Sequence, residues 1–81
     1  MARGPSDKPL MRIAEAAQAA GVTKGTLEYY IVLGMVKPIR LPGRGGRRFN
    51  DEHVKRIRTI RRANEEGYTL RQIRQIFLRR K

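Results

Sequence analysis

The chain has no cysteine and no tryptophan, a single histidine, and only 7 acidic residues against 19 basic ones. Without cysteine there is neither a disulfide framework nor a thiolate metal site, and His53 by itself cannot hold a metal. No apolar run approaches the roughly 20 residues a membrane span needs, and the N-terminal MARGPSDKPLMR lacks an apolar secretion segment. These absences point to a soluble, cytoplasmic protein with no metal, no cofactor and no membrane partner. A chain of 81 residues is one small domain, because chains this short bury only about 60% of their unfolded surface.

What is present is positive charge. A formal net charge of +12 repels itself in a compact state unless an anionic partner relieves it, and nucleic acid is the leading partner. The charge comes in blocks: residues 37–48 and 71–81 each carry five basic residues and no acid, and residues 55–62 carry five more. Solvated faces are the plain alternative for such runs, and the size of the imbalance argues against it.

Residues 1–10, with Gly4, Pro5, Ser6, Asp7 and Pro9, read as a flexible arm. A first helix is expected over residues 11–20, where Ile13, Ala16, Ala17 and Ala20 recur at helical spacing before Gly21. Thr23 is a good N-cap for a second helix to about Leu33, stopped by Gly34, and Val22 is the expected apolar plug of a helix-turn-helix. In KPIRLPGRGGRRFN the prolines and glycines leave room for two short strands, 39–41 and 47–49, paired as an arginine-studded hairpin. Asn50 caps a third helix with Val54, Ile57, Ile60 and Ala63 as its apolar stripe to Gly67. Thr69 and Gln72 form the capping box of a fourth helix that buries Leu70, Ile73, Ile76 and Phe77. The fold class is therefore mainly α: a winged helix-turn-helix of four helices with a small two-stranded β wing, over residues 11–78, followed by a basic end, 79–81.

Taken in order, IAEAAQAAGVTKGTLEYY, LGMVKP and GGRRFNDEHVKRIRTIRRANEEGYTLRQIRQI resemble the DNA-binding domain of MerR-family transcription regulators. The resemblance covers residues 13–77, and the form Gly46-Arg47-Arg48-Phe49 is most similar to the heat-shock repressor and nitrogen-regulator branches. It implies a bacterial regulator whose second helix enters the major groove of double-stranded DNA. The wing would lie on the adjacent backbone or minor groove, with a dimer or cooperative assembly on a pseudo-palindromic promoter and RNA polymerase as a further partner. Two departures stand out. The family usually has arginines where this chain has Gly25 and Glu28, and polar residues where it has Ile31, Val32 and Leu33, so the contacts of helix 2 are not carried over. The family's long dimerisation helix and effector domain would follow Phe77, which makes this an excised domain or a minimal regulator.

The candidate DNA contacts are Thr23, Lys24, Thr26, Glu28, Tyr29, Arg40, Arg44, Arg47, Arg48, Arg61 and Arg62. Arg44, Arg47 and Arg48 stand among Gly43, Gly45 and Gly46, a combination of charge and access that suits phosphate, with Arg47 foremost. Lys24 starts the second helix, where side chains reach bases or phosphates; Thr23 is read chiefly as the cap. Tyr30 is expected in the core and Tyr29 on the groove side, as a phosphate contact. Glu28 has two readings, an acceptor for cytosine N4 and an i, i+4 ion pair with Lys24, and the pair is favoured. Arg61 and Arg62 occupy the outward face of helix 3, while Glu65 and Glu66 solvate its end. His53 has no nucleophile or metal partner, and no enzyme activity is expected.

In the run TLEYYIVLGMV, three consecutive apolar residues cannot share one helical face. Ile31 and Leu33 are expected to be covered by the wing, Met35 and Val36, leaving Val32 exposed and part of the run, Ile31 and Val32, as a contact for a second protein. Two alternatives to a regulator use the same charge: an architectural or mobile-element protein of the excisionase or packaging type, and an RNA-binding domain. Phe49 alone in a strand-like piece makes a poor RNA-stacking platform.

Overall fold

The computed structural model describes residues 10–43 and 45–79. Residues 1–9 of the expected arm, Arg44 at the wing tip, and Arg80 and Lys81 of the basic end lie outside the described residues. Four helices and one hairpin follow in the order α1 (Ile13–Ala20), α2 (Lys24–Val32), β1 (Ile39–Leu41), β2 (Gly46–Arg48), α3 (Asp51–Glu65) and α4 (Leu70–Arg79). This is the expected winged helix-turn-helix.

The ends of the helices are set by local chemistry. Thr23 Oγ1 accepts from the Thr26 amide at 3.0 Å and starts α2. Asn50 Oδ1 accepts from the His53 amide at 3.0 Å, and the Asn50 amide donates back to His53 Nδ1 at 3.0 Å. The Thr69 amide donates to Gln72 Oε1 at 2.8 Å, and Thr69 Oγ1 accepts from the Gln72 amide at 3.1 Å, closing the capping box of α4. Each of these bonds satisfies an amide that the first helical turn leaves without a backbone partner. Gly21 ends α1 with φ 79°, so the α1–α2 turn needs glycine for its dihedral; a Cβ built there would lie 2.8 Å from Arg61 Nη1, the mobile end of a side chain that can shift aside.

Two expectations about boundaries are corrected. Met11 is not helical: its amide and carbonyl pair with those of Phe49, both at 2.8 Å, and α1 begins two residues later, where Glu15 accepts from the Arg12 amide. The second strand of the wing is Gly46–Arg48 rather than residues 47–49, with Ile39 opposite Arg48, Arg40 opposite Arg47 and Leu41 opposite Gly46. Phe49 leaves the ribbon and is fully buried. An aromatic ring of this size gains more from the core than from a solvated strand, and the Met11 bridge satisfies its backbone.

The core sits where α3 crosses α1 and meets α4. Ala16, Ala17 and Ala20 let α1 approach closely, facing Val54, Ile57 and Ile60 of α3, while α2 contributes Leu27 and Tyr30. Met35, Val36, Phe49 and Ile73 complete it, and Val22 packs half-buried against it as expected; Ile76, expected in the buried face of α4, is instead 47% exposed, while Leu70 and Phe77 are half-buried. Ile31 and Leu33 are half-buried, whereas Val32 is 78% exposed.

Arginine side chains tie these elements together. Arg58 of α3 donates to the Ala19 carbonyl at the end of α1, 2.9 Å away, and Arg74 of α4 donates to the Leu33 carbonyl at the end of α2, 2.7 Å away. Arg56 donates to the Met35 carbonyl and lays its guanidinium 4.4 Å from the centre of the Phe77 ring. Carbonyls at helix C-termini lack intrahelical partners and carry partial negative charge, so a guanidinium there both satisfies and neutralises them.

Candidate nucleic-acid interface

The site is built from the helix-turn-helix and the wing, and one ion pair joins the two. Arg47 of β2 donates from both terminal nitrogens to Glu28 of α2, Nη1 to Oε1 at 3.1 Å and Nη2 to Oε2 at 3.0 Å. The Arg47 hydrogen bond holds the Glu28 carboxyl below its usual range against a weaker opposing desolvation, and Glu28 in turn raises the guanidinium's affinity for its proton. The favoured Glu28–Lys24 pair is therefore corrected: both carboxylate oxygens face the wing, and Lys24 acts on Glu28 only as a neighbouring charge. The bidentate fork of arginine outcompetes the single ammonium for a planar carboxylate.

Arg40 and Arg47 are direct cross-strand neighbours, which places two like charges on one face of the ribbon. Glu28 offsets one of them. Arg40 remains exposed, with no carboxylate partner among the described residues. Arg48 is half-buried and donates Nη1 to the Arg47 carbonyl at 2.9 Å, so it stiffens the strand. Gly45 admits no side chain, since its Cβ would sit 2.4 Å from that of Leu41.

At the start of α2, Lys24 is exposed. Thr23 and Thr26 are joined hydroxyl to hydroxyl at 2.9 Å, so both threonines first serve the cap. Tyr29 is 52% exposed and Tyr30 is buried, the division expected from the sequence, and burial pushes the Tyr30 phenol above its ordinary value. Arg61 and Arg62 stand apart from the wing, at the C-terminal end of α3. With Gln18, Gly21, Arg58 and Glu65 they line an open depression of about 410 Å³ beside the α1–α2 turn. Arg61 donates Nε to Glu65 at 3.0 Å, so Glu65 pairs rather than merely solvates the helix end, while Arg62 is exposed.

His53 is accounted for structurally. Its Nδ1 accepts the Asn50 amide, so Nε2 carries the proton and donates to the Lys37 carbonyl at 2.7 Å, linking the cap of α3 to the segment before β1. Sequence reasoning missed the carbonyl-binding roles of Arg56, Arg58 and Arg74, whose targets lie 21 to 41 residues away and leave no local signal.

A helix-turn-helix whose second helix is exposed along one side, with an arginine ribbon fastened beside it, defines the winged helix-turn-helix class. Within that class, residues 11–79 match the model described as the MerR HTH family regulatory protein. The chain belongs to this family. It is 37% identical over 62 residues to the mercuric resistance operon regulatory protein of Bacillus cereus, covering 76% of this chain and 47% of that one. It is 32% identical over 66 residues to the transcriptional regulator HmrR of Sinorhizobium medicae, covering 82% and 45%. It is 37% identical over 71 residues to HspR of Streptomyces coelicolor, named as a heat shock protein, covering 86% and 46%. The chain thus spans about half the length of these relatives.

Among solved structures it is similar to a transcription regulator of Ralstonia metallidurans in complex with lead(II), with a TM-score of 0.73 and 29% identity over 82% of this chain and 52% of that one. It also shares its fold with a MerR family regulator lacking the sensor domain and bound to promoter DNA, at a TM-score of 0.74 and 23% identity, covering 85% and 55%.

Proposed function

We propose that this chain binds double-stranded DNA as the DNA-reading part of a transcription regulator, with α2 in the major groove and the wing on the flanking backbone. One observation carries the reading: the Arg47–Glu28 pair fastens an arginine ribbon beside the exposed side of the second helix of a helix-turn-helix, in a molecule of net charge +12. Lys24 then enters the groove at the start of α2. Arg40 takes a phosphate that offsets the cross-strand repulsion Glu28 leaves unrelieved, and Arg47 reaches the backbone beside it. Arg48 supports the strand; Arg62, with Arg61, serves the phosphates on the opposite flank.

The family membership and the fold shared with a promoter-bound regulator support this reading. Two copies, or a cooperative array, would read a pseudo-palindrome and could act on RNA polymerase there. A footprint on genomic DNA tests it. Protection of a pseudo-palindrome is the expected result, whereas protection without sequence preference overturns the regulatory reading in favour of an architectural one. Preference for single strands or RNA over duplex DNA overturns the groove placement.

A further inference from the structure

The outward side of α2 carries no free charge at its centre. Gly25, Tyr29 and Val32 fall at i, i+4 and i+7, within two turns on one side of the helix. Tyr29 is half exposed and Val32 almost wholly so. Glu28, which borders this side, is turned to the wing with both oxygens on Arg47. Lys24 is the only basic residue of α2, and it stands at the helix start.

Gly25 is an independent observation. A Cβ built on it meets nothing closer than Thr23 Oγ1 at 3.9 Å, and its φ is not in the left-handed region, so the fold does not require glycine there. Glycine in an exposed helical position costs up to about 1 kcal/mol relative to alanine. A glycine facing open space on a helix suits close approach by another molecule. In this strongly basic chain that molecule is a polyanion. On the major-groove side of DNA, the group that matches a shallow, uncharged, apolar surface is the thymine C5-methyl.

We infer that Val32 and Tyr29, over the flat ground left by Gly25, read thymine C5-methyl groups and so give the chain a preference for A·T pairs in each half-site, with Glu28 taking no part in reading bases. This rests on the major-groove placement of α2 proposed above, and deepens it by naming the base feature that is read.

The test uses duplexes selected from a randomised double-stranded library, then remade with deoxyuridine at every thymidine, which removes the methyl and keeps the pairing. The wild-type chain should bind the uracil duplex about fourfold more weakly for each methyl contacted, the effect of one buried methyl-sized group. Val32→Ser should bind the thymine duplex more weakly and show a smaller distinction, by about the fourfold of one methyl, with Tyr29 keeping its own share. A change of DNA shape on uracil substitution would act on both proteins alike, so an unreduced distinction in the variant overturns the inference. Equal wild-type binding to the two duplexes overturns it as well. Gly25→Ala should raise the unfolding temperature while weakening DNA binding; unchanged affinity contradicts the close approach. If Val32→Ser leaves single-site binding and base preference intact but abolishes the loading of a second copy on longer duplexes, the surface is a protein contact and the inference fails. Failure to enrich any duplex would instead overturn the DNA-binding reading itself.

Discussion

Arg47 grips Glu28 with both terminal nitrogens across 19 residues of sequence, and so fixes the wing against α2. The two side chains are 29% and 41% exposed, which keeps the energetic contribution of the pair modest. Its importance is geometric: α2 and the arginine ribbon are held in one relative orientation, so on the proposed binding mode less ordering is left to occur when DNA binds.

Arg47→Ala should weaken binding to every duplex and reduce the salt slope by at least about one, because it removes a cation from the ribbon and also frees the Glu28 carboxylate that Arg47 holds. Lys24→Ala should instead change the ranking of sites. Competition assays with a panel of duplexes separate the two, and unchanged ranking in the Lys24 variant would count against α2 as the reading helix.

The pH dependence of stability has a definite sign. The pKa of Glu28 is lowered in the fold, chiefly by the Arg47 hydrogen bond, so its contribution is present above the unfolded carboxyl value and lost as pH falls through the folded one. Urea midpoints of the wild type and Glu28→Gln should differ at neutral pH and converge in acid. A difference that grows on acidification would contradict the pairing.

Counterion release should dominate association, because the basic residues form three blocks and acids are few. The logarithm of the binding constant should fall by about 4 or more per decade of salt. Fluorescence anisotropy with a labelled duplex measures this, and a slope near zero would exclude the electrostatic mode.

Gly21→Ala should destabilise the domain by about 1 to 2 kcal/mol, since alanine resists the left-handed conformation. The new methyl would also displace the Arg61 side chain. Chemical denaturation checks this, and a neutral result would mean the α1–α2 turn relaxes without cost.

Local and periodic features were legible in the sequence. The caps at Thr23, Asn50 and Thr69, the stop at Gly21, and the division of Tyr29 from Tyr30 follow from near neighbours and the helical repeat, and the structure has them all. The exposure of Val32 followed from the same repeat. What escaped was what lies across from each face. A helical pattern shows that Glu28 is outward, but Lys24 is near in sequence and Arg47 only in space. Phe49 looked like a strand residue because its neighbours are; its backbone pairs with Met11, far away in sequence, and its ring joins a core drawn from every helix. The carbonyl contacts of Arg58 and Arg74 likewise span 39 and 41 residues, beyond any local signal.

Arg74 binds the Leu33 carbonyl at the cap of α2, and Arg56 joins the Met35 carbonyl, two residues further on, to the Phe77 ring of α4. Arg74 comes from α4 itself, whereas Arg56 comes from α3 and touches α4 only through the Phe77 ring. The fourth helix is thereby buttressed against the helix-turn-helix by guanidinium groups as well as by the apolar core, so Arg74 and Phe77 belong to the support of α2 although they lie more than 40 residues after it.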